Sequence, residues 1–528
     1  VAVSSRDSEF DYSQLRSSAL KVRSSGSLPK TRTIISFDAF GSSELVGSFT
    51  SNLHNARAAI LARVLFAKRK GVYVPIHEIV PCLSDLRLIM RPFVESIKPE
   101  LPLAAPMTTD QFLLDLTGRK RVNYAQACVD FNERGFRPSD AHIRMFLKFE
   151  KDITTLKKDR IPRVISPAGF VYLLLTGLYI KAVEKKIYHA IDTLLGYRCV
   201  AKGINYDDLA EMISDAWGAF KNPAGIDLDV SKLDQSICAD ALRVSHDLII
   251  SCFGPGDRAE ISRLLEYQCR TIAKARMTDG WLSYKVEGTL TSGQMNTSLT
   301  GICIVVGVIY PLLRGGNMRL INCGDDCHLV GEHKYMKGVG RKLEARFGMM
   351  GMVIEITKPF VELTTMRFCQ VAVLRSDTGY RCVRDPYVVI TKDSCCLENI
   401  NVPYRLAAWA RSVGRGGVAM FGGVPVLDAF YRCLIRNSEK FFQTTKLSKR
   451  AAKRARSYKL PDGYTNWGEP ISYQNSVVDD TIRYEVFVAF NIAPADQLML
   501  EDHYNNLDID FTVERRTPCP GNFNLLFQ

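Results

Sequence analysis

Residues 319–330 read Arg-Leu-Ile-Asn-Cys-Gly-Asp-Asp-Cys-His-Leu-Val, and no other stretch restricts the chain as much. Apolar residues run into Gly324-Asp325-Asp326 and apolar residues leave it, which predicts two short strands joined by a tight turn. Adjacent ionised carboxylates at a hairpin tip repel each other, and Mg²⁺, which accepts carboxylate oxygens, would neutralise them. An ordinary solvated turn uses the same residue types. The choice between these readings depends on what the rest of the chain supplies.

A second acidic strand is predicted at residues 224–235, where Ile226, Leu228 and Val230 alternate with Asp227 and Asp229, putting both carboxylates on one face. Asp234 follows past a change of direction. A strand-end carboxylate is what the Asp325 turn lacks. Two carboxylates from separate strands can hold two Mg²⁺ ions roughly 3.5–4 Å apart for in-line phosphoryl transfer. A plain acidic surface strand is the alternative. Between the two acidic segments, Gly288-Thr-Leu-Thr-Ser292-Gly293-Gln-Met-Asn-Thr297 leads into an apolar helix ending near Tyr310 and Pro311. Its hydroxyls and amide can contact a ribose or a template base, although a capped helix start would look the same.

Two basic stretches precede the acids. Thr117-Gly118-Arg119-Lys120 opens a helix and suits a phosphate backbone or a solvated helix start. Lys148, Lys151, Lys157, Lys158, Arg160 and Arg163 recur beside β-favouring residues and a proline, which predicts a loop and strand rather than a helical face. Such a cation set suits a triphosphate, with arginine matching its planar oxygen sets; a solvated basic loop is the other reading.

With 528 residues and 46% hydrophobic content, the chain can build two or three domains or one multi-lobed enzyme. A formal charge of +13 favours an anionic partner. Fifteen cysteines without a paired Cys-x-x-Cys array argue against a zinc ribbon or a disulfide framework and fit reduced thiols. No apolar run approaches the roughly 20 residues of a membrane span; residues 171–180 and 302–313 read as buried segments. Residues 1–45 are serine-rich and predict an extended, loosely packed arm, whereas 45–90 look helical around the basic patch Lys68-Arg69-Lys70. The chain opens at Val1 without Met, which suits a processed product or a read-through portion, and its last residues would suit cleavage after Gln528.

The order basic loop, Asp229-x4-Asp234, Ser292-Gly293-x3-Thr297, Gly324-Asp325-Asp326 and Phe368-Cys369-Gln370 resembles the RNA-dependent RNA polymerases of positive-strand RNA viruses, in particular the tombusvirus-like group. Pro162-Arg163-Val-Ile165 and Val383-Arg384-Asp385-Pro386 are similar to words of that group too, and the likeness spans about residues 110–395. It implies an α+β right-hand fold: fingers at 46–220 and 245–287, an antiparallel palm at 221–244 and 288–376, a helical thumb at 377–468 and a tail of unknown role at 469–528. It also implies that Asp229, Asp325 and Asp326 ligate Mg²⁺, or Mn²⁺ as a substitute; for a general acid the region after the hairpin offers both Lys342 and Lys358, of which Lys358 is preferred. Lys148, Arg160, Arg163, Asp234, Ser292 and Thr297 would hold the nucleoside triphosphate, and Thr117, Gly118, Arg119, Lys120, Gly293, Phe368, Cys369 and Gln370 would touch RNA.

The reaction implied is template-directed transfer from ribonucleoside triphosphates to the 3′-hydroxyl of a growing RNA, with primer-independent initiation. Its partners would be single-stranded template, product RNA and a separate viral membrane-anchoring protein, at membrane-associated replication complexes in the host cytoplasm. Two positions depart from the family pattern: Gly301 stands where an asparagine usually faces the ribose, and Gln294 where close relatives often have Asp. Asn296, Thr300 or a water would have to compensate. A reverse transcriptase fits less well, since Gly324 and Asp234 stand where such enzymes carry an aromatic residue and a bulky steric gate. A non-catalytic RNA-binding replication protein with the same fold is the remaining alternative. The basic run from Lys446 to Arg456 suits exiting RNA, an anionic membrane or a solvated helix, and residues 507–511 alternate like a short strand.

Overall fold

The computed structural model describes residues 2–31, 33–36, 46–153, 161–397, 402–456 and 476–511. It is an α+β protein built around a four-stranded antiparallel sheet in the order Met318–Asn322, Asp326–Glu332, Pro223–Val230, Ile354–Ile356. The expected alternation is realised in Pro223–Val230: Ile226, Leu228 and Val230 are buried, while Asp229 is exposed at the strand end. Behind the sheet runs the Thr297–Leu313 helix, in which every residue from Leu299 to Tyr310 is buried. A helix apolar all round has to be enclosed, and here the Leu83–Ile97 and Ala239–Ser251 helices enclose it. Gly307 permits the close crossing, because a Cβ there would stand 2.4 Å from Met90 Cε.

A five-stranded sheet flanks this core in the order Leu20–Ser24, Gly280–Glu287, Arg270–Met277, Ile143–Leu147, Val164–Ile165. Its first strand belongs to the segment expected to be a loose arm. Instead, Leu20 to Ser24 pair with Tyr284 to Gly280, and Thr33–Ser36 lies between Ala2–Ser4 and Cys395–Cys396. The hydrogen bonds that hold the arm come from distant strands, so its own polar sequence gives no sign of them. The basic patch expected on a helix sits on a hairpin, Phe66–Arg69 with Val72–Pro75. Lys70 and Gly71 both have positive φ, the requirement of a two-residue turn that matches strand twist.

A separate core forms where the Pro403–Phe421 and Leu427–Thr444 helices pack together. The Asp480–Phe490 and Pro494–Asn506 helices join that core. Residues 507–510, expected as a strand, are irregular: the Asn437 amide donates to Leu507 O at 2.9 Å, and Ile509 N donates to Asn437 Oδ1 at 2.8 Å. The backbone finds its partner in a helix side chain, so no strand pairing is needed. The basic run forms the Lys449–Arg456 helix. Among the described residues no helix is long and apolar enough to cross a membrane. Lys157, Lys158 and Arg160, and the terminal residues 512–528, lie outside the described residues.

Candidate active site

The acidic hairpin is closed by Cys323 N donating to Asp326 O at 3.0 Å. Gly324 sits at φ +105, a conformation that L side chains rarely adopt. Asn322, fully buried, clamps the turn: its amide donates to Gly324 O at 2.9 Å and its carbonyl accepts from Gly324 N at 3.3 Å. This tip is pinned beside the neighbouring strand. Asp229 is the register partner of Asp326, and Val230 N donates to Asp325 O at 3.1 Å.

Although Asp229 opens to the surface, the surrounding protein strips part of its hydration, and this together with Asp325, Asp326 and Glu355 pushes its carboxyl up to about 6. Asp326 is likewise raised, by burial and then by Asp325. Three like charges held this way without a counter-ion are what a hard cation relieves. Among the described residues no three acidic, histidine or cysteine side chains form a cage for an ion by themselves. Hard cations such as Mg²⁺ are ordinarily bound through one or two carboxylates plus substrate phosphates and waters. The donor set therefore fits a divalent metal completed by substrate. Asp227, on the same strand, is not part of it: its carboxylate accepts from Arg367 N at 3.0 Å and pairs with the buried His328 Nδ1 at 2.9 Å.

Asp229, Asp325 and Asp326 open onto a cleft of about 440 Å³, which Arg163, Asp234, Ser292 and Gln370 also line. Seven of the residues singled out in the sequence thus share one cavity. Asp234 reaches it because Lys232 at φ +51 turns the chain into the short Leu233–Ser236 helix. Burial, then Asp325, pushes the Asp234 carboxyl up to about 7, against the opposing pull of Arg163. The loop before the buried helix docks on this turn: Leu290 N donates to Asp234 O at 2.8 Å. Ser292 Oγ donates to Val164 O at 3.2 Å, and Ser292 O accepts from Ser166 N, tying the loop to the basic strand. Gly293, at φ +104, runs against Pro167.

Glu150 organises the cations, a role the sequence reading missed. Its Oε2 lies 3.2 Å from Lys148 Nζ and 3.5 Å from Arg163 Nη1. Lys148 N also donates to Arg163 O at 2.9 Å. Arg63 and Lys232 join the cleft lining and were not predicted; only their charge hinted at them.

Other predicted residues lie elsewhere. Thr297 does not line the cleft, and its hydroxyl donates to Thr291 O and Gln294 O. Lys358 is exposed, three residues past Glu355, the register partner of Asp229, and is not among the lining residues. Thr117, Gly118, Arg119 and Lys120 are exposed at the N-terminal turn of the Gly118–Arg134 helix, which has no acid in that turn. Phe368 is buried beneath a two-residue turn whose Cys369 and Gln370 have φ +50 and +66. Of these, Gln370 reaches the cleft, while Cys369 lies beside Asp326 and Cys323.

Gly301 is buried between the Asp234 turn and the acidic hairpin: an added Cβ would meet Leu233 Cδ2 at 3.3 Å and Gly324 Cα at 4.0 Å. Neither proposed substitute amide or hydroxyl is available. Asn296 and Thr300 are fully buried and bonded to each other, with Gln268 on Asn296 and Ser245 on Thr300.

An acidic hairpin abutting a second acidic strand under a cation-bearing cleft is an arrangement suited to phosphate esters and a divalent metal. A family described as viral RNA-dependent RNA polymerase matches residues 20–512, and the chain belongs to that family. The RNA-directed RNA polymerase of oat chlorotic stunt virus is 30% identical over 499 residues, covering 93% of this chain and 66% of the relative. Those of tobacco necrosis virus (strain D) and carnation mottle virus are each 30% identical, over 492 and 460 residues, covering 92% and 87% of this chain and 66% and 58% of the relative. These relatives identify it as a tombusvirus-like member. The chain spans just under two thirds of the length of the first two.

Proposed function

We propose that this chain is the template-directed RNA polymerase of such a virus, extending RNA from ribonucleoside triphosphates. The observation that carries the reading is the shared cleft, where Asp229 and the Asp325 hairpin face Arg163, Asp234 and Ser292. In this reading the four-stranded sheet is the palm, the five-stranded sheet and the helices before it are the fingers, and the separate helical core is the thumb. Asp229, Asp325 and Asp326 would hold Mg²⁺ or Mn²⁺, which when bound lowers the pKa of a hydroxyl nucleophile and stabilises charge on phosphate.

The protein's own groups do the rest. Arg163 and Lys148, aligned by Glu150, bind the triphosphate and orient its leaving end. Asp234 and Ser292 face the ribose from the turn and loop that dock together. The turn bearing Gln370 supports the 3′ end of the growing strand. Three consecutive cations, Arg119 to Arg121, in a helix turn that already carries a partial positive charge attract the template backbone. Lys358, exposed and outside the cleft, is given no proton to move.

A separate viral protein would anchor the enzyme at host cytoplasmic membranes, an expectation that comes from the family alone. Steady-state kinetics of Arg163→Ala test the function: the KM for nucleoside triphosphate should rise at least tenfold with RNA binding unchanged. Equal KM values would remove the cleft from nucleotide binding.

A further inference from the structure

Asp229, Asp325, Asp326 and Gln370 line the proposed cleft from three separate segments: the Pro223–Val230 strand, the hairpin leading into Asp326–Glu332, and the turn after Arg367. Asp227 does not line the cleft, yet it joins all three. It stands on the strand of Asp229, two residues earlier and on the same face. One carboxylate oxygen lies 2.9 Å from Nδ1 of His328, its register partner, two residues beyond Asp326. The other accepts from Arg367 N at 3.0 Å, three residues before Gln370.

Each partner is itself held. His328 is buried and stacks on the Phe360 ring at 5.6 Å between centroids, and Phe360 stacks in turn on Trp217 at 6.1 Å. The Arg367 guanidinium donates to Thr364 O at 3.1 Å, to Met366 O at 2.8 Å and to Ala489 O, and lies over the Phe490 ring at 4.9 Å. Ala489 and Phe490 end the Asp480–Phe490 helix, where carbonyls lack partners within the helix, so Arg367 ties Asp227 to the separate helical core. The Asp227 backbone is pinned as well: its N donates to Thr357 Oγ1 at 2.9 Å, and its O accepts from Thr357 N at 3.0 Å. With both oxygens engaged and its backbone pinned, this carboxylate sets where the acidic hairpin and the Gln370 turn stand relative to Asp229.

We propose that Asp227 is a positioning residue for nucleotidyl transfer. Through His328 it aligns the hairpin carboxylates with Asp229, and through Arg367 N it aligns the turn that supports the 3′ end. The inference rests on the polymerase reading of the cleft. In-line transfer needs the reacting atoms aligned, and a misplacement of about 1 Å costs roughly 10² in rate. The triphosphate cations Lys148 and Arg163 are held by Glu150 instead, so loss of Asp227 falls on kcat rather than on KM.

Asp227→Ala, Asp227→Asn and His328→Phe test it in the whole chain by two measurements: steady-state incorporation of ATP on an RNA template, and amide hydrogen exchange without metal or nucleotide. With kcat normalised to the folded fraction from chemical denaturation, Asp227→Ala should lose at least about tenfold in kcat, with the KM for ATP within about twofold. Asp227→Asn, which keeps an acceptor for Arg367 N and a polar partner for His328, should recover kcat to within about threefold. Exchange in Asp227→Ala should quicken at residues 322–327 and 367–371 but not in the Pro403–Phe421 helix. His328→Phe keeps the ring stacked on Phe360, removes the Nδ1 contact and guards against an alanine variant that misfolds; it should quicken exchange at 322–327. Wild-type exchange at these turns in both variants, exchange that quickens equally in the Pro403–Phe421 helix, or wild-type kcat in Asp227→Ala would overturn the proposal. Exchange needs no turnover, so it decides the matter even if wild type makes no product, a result that would count against the polymerase reading alone.

Discussion

The family resemblance leads one to expect an asparagine where Gly301 stands, and placing one there tests how the proposed cleft reads the ribose. Its Cβ would come within 3.3 Å of Leu233 Cδ2, the flexible end of a side chain on the turn that carries Asp234. Leu233 must yield by a few tenths of an ångström, a crowding cost of about 1 kcal/mol. Leaving glycine within a helix returns a few tenths of a kcal/mol. The fold should therefore tolerate Gly301→Asn with little change in melting temperature. The new amide would stand between the Asp234 turn and the Gly324 backbone, where it can hydrogen-bond to a ribose 2′-hydroxyl. One neutral hydrogen bond contributes about 1 kcal/mol net, or about fivefold in discrimination. The assay is kcat/KM for ATP and for dATP on one RNA template, and the ATP-to-dATP ratio should rise about fivefold while kcat/KM for ATP stays within a few-fold. Equal ratios in the two proteins would refute the idea that the missing amide relaxes sugar selection.

Other consequences follow from the same geometry. Glu150→Ala should raise the KM for nucleoside triphosphate about three- to fivefold with kcat less affected, because a partly exposed clamp of this kind is worth about 1 kcal/mol or less; an unchanged KM would show that Lys148 and Arg163 need no alignment. Asp229 and Asp234 have folded pKa values raised to about 6 and about 7, above the ordinary 3.8, so folding favours their protonated forms. Metal-free stability should therefore fall as pH rises from about 4 through about 7. Added Mg²⁺ should raise the melting temperature more at pH 7.5 than at pH 5.5, and an equal rise at both would contradict the acidic-cluster account. Gly225→Ala would bring a Cβ to 2.7 Å from the Phe360 ring and 2.9 Å from the His328 ring, so it should destabilise by about 1–3 kcal/mol in chemical denaturation, and wild-type stability would count against that packing.

What could be read from the sequence was mostly local. Apolar alternation at Ile226, Leu228 and Val230 and the glycine at Gly324 set strand and turn through period and backbone freedom, which operate over a few residues. The paired acids gained meaning only through their order along the chain and their likeness to a family. Asn322 was not singled out, because an asparagine ahead of a turn does not reveal that it will be buried and clamp Gly324. Glu150 lay within a motif quoted for its cations, and its bridging role depends on Lys148 and Arg163 converging across a loop and two strands. Lys70-Gly71 was a legible turn signal between β-favouring residues, overridden by the helical look of its surroundings. The pairing of Leu20–Ser24 with a strand some 260 residues away leaves no local trace. At residues 507–510 the alternation was real, but Asn437 meets the backbone there in place of a strand.

The central claim is that the Asp325 hairpin and Asp229 together form a metal-dependent nucleotidyl-transfer site. The most direct measurement is incorporation of labelled nucleotide on a short single-stranded RNA template with Mg²⁺ or Mn²⁺, comparing wild type with Asp325→Ala while RNA binding is followed in parallel. The account predicts template-length product from wild type, none from Asp325→Ala, and equal RNA binding by both. Product from Asp325→Ala at the wild-type rate, or no product from either protein while both bind RNA equally, would contradict it.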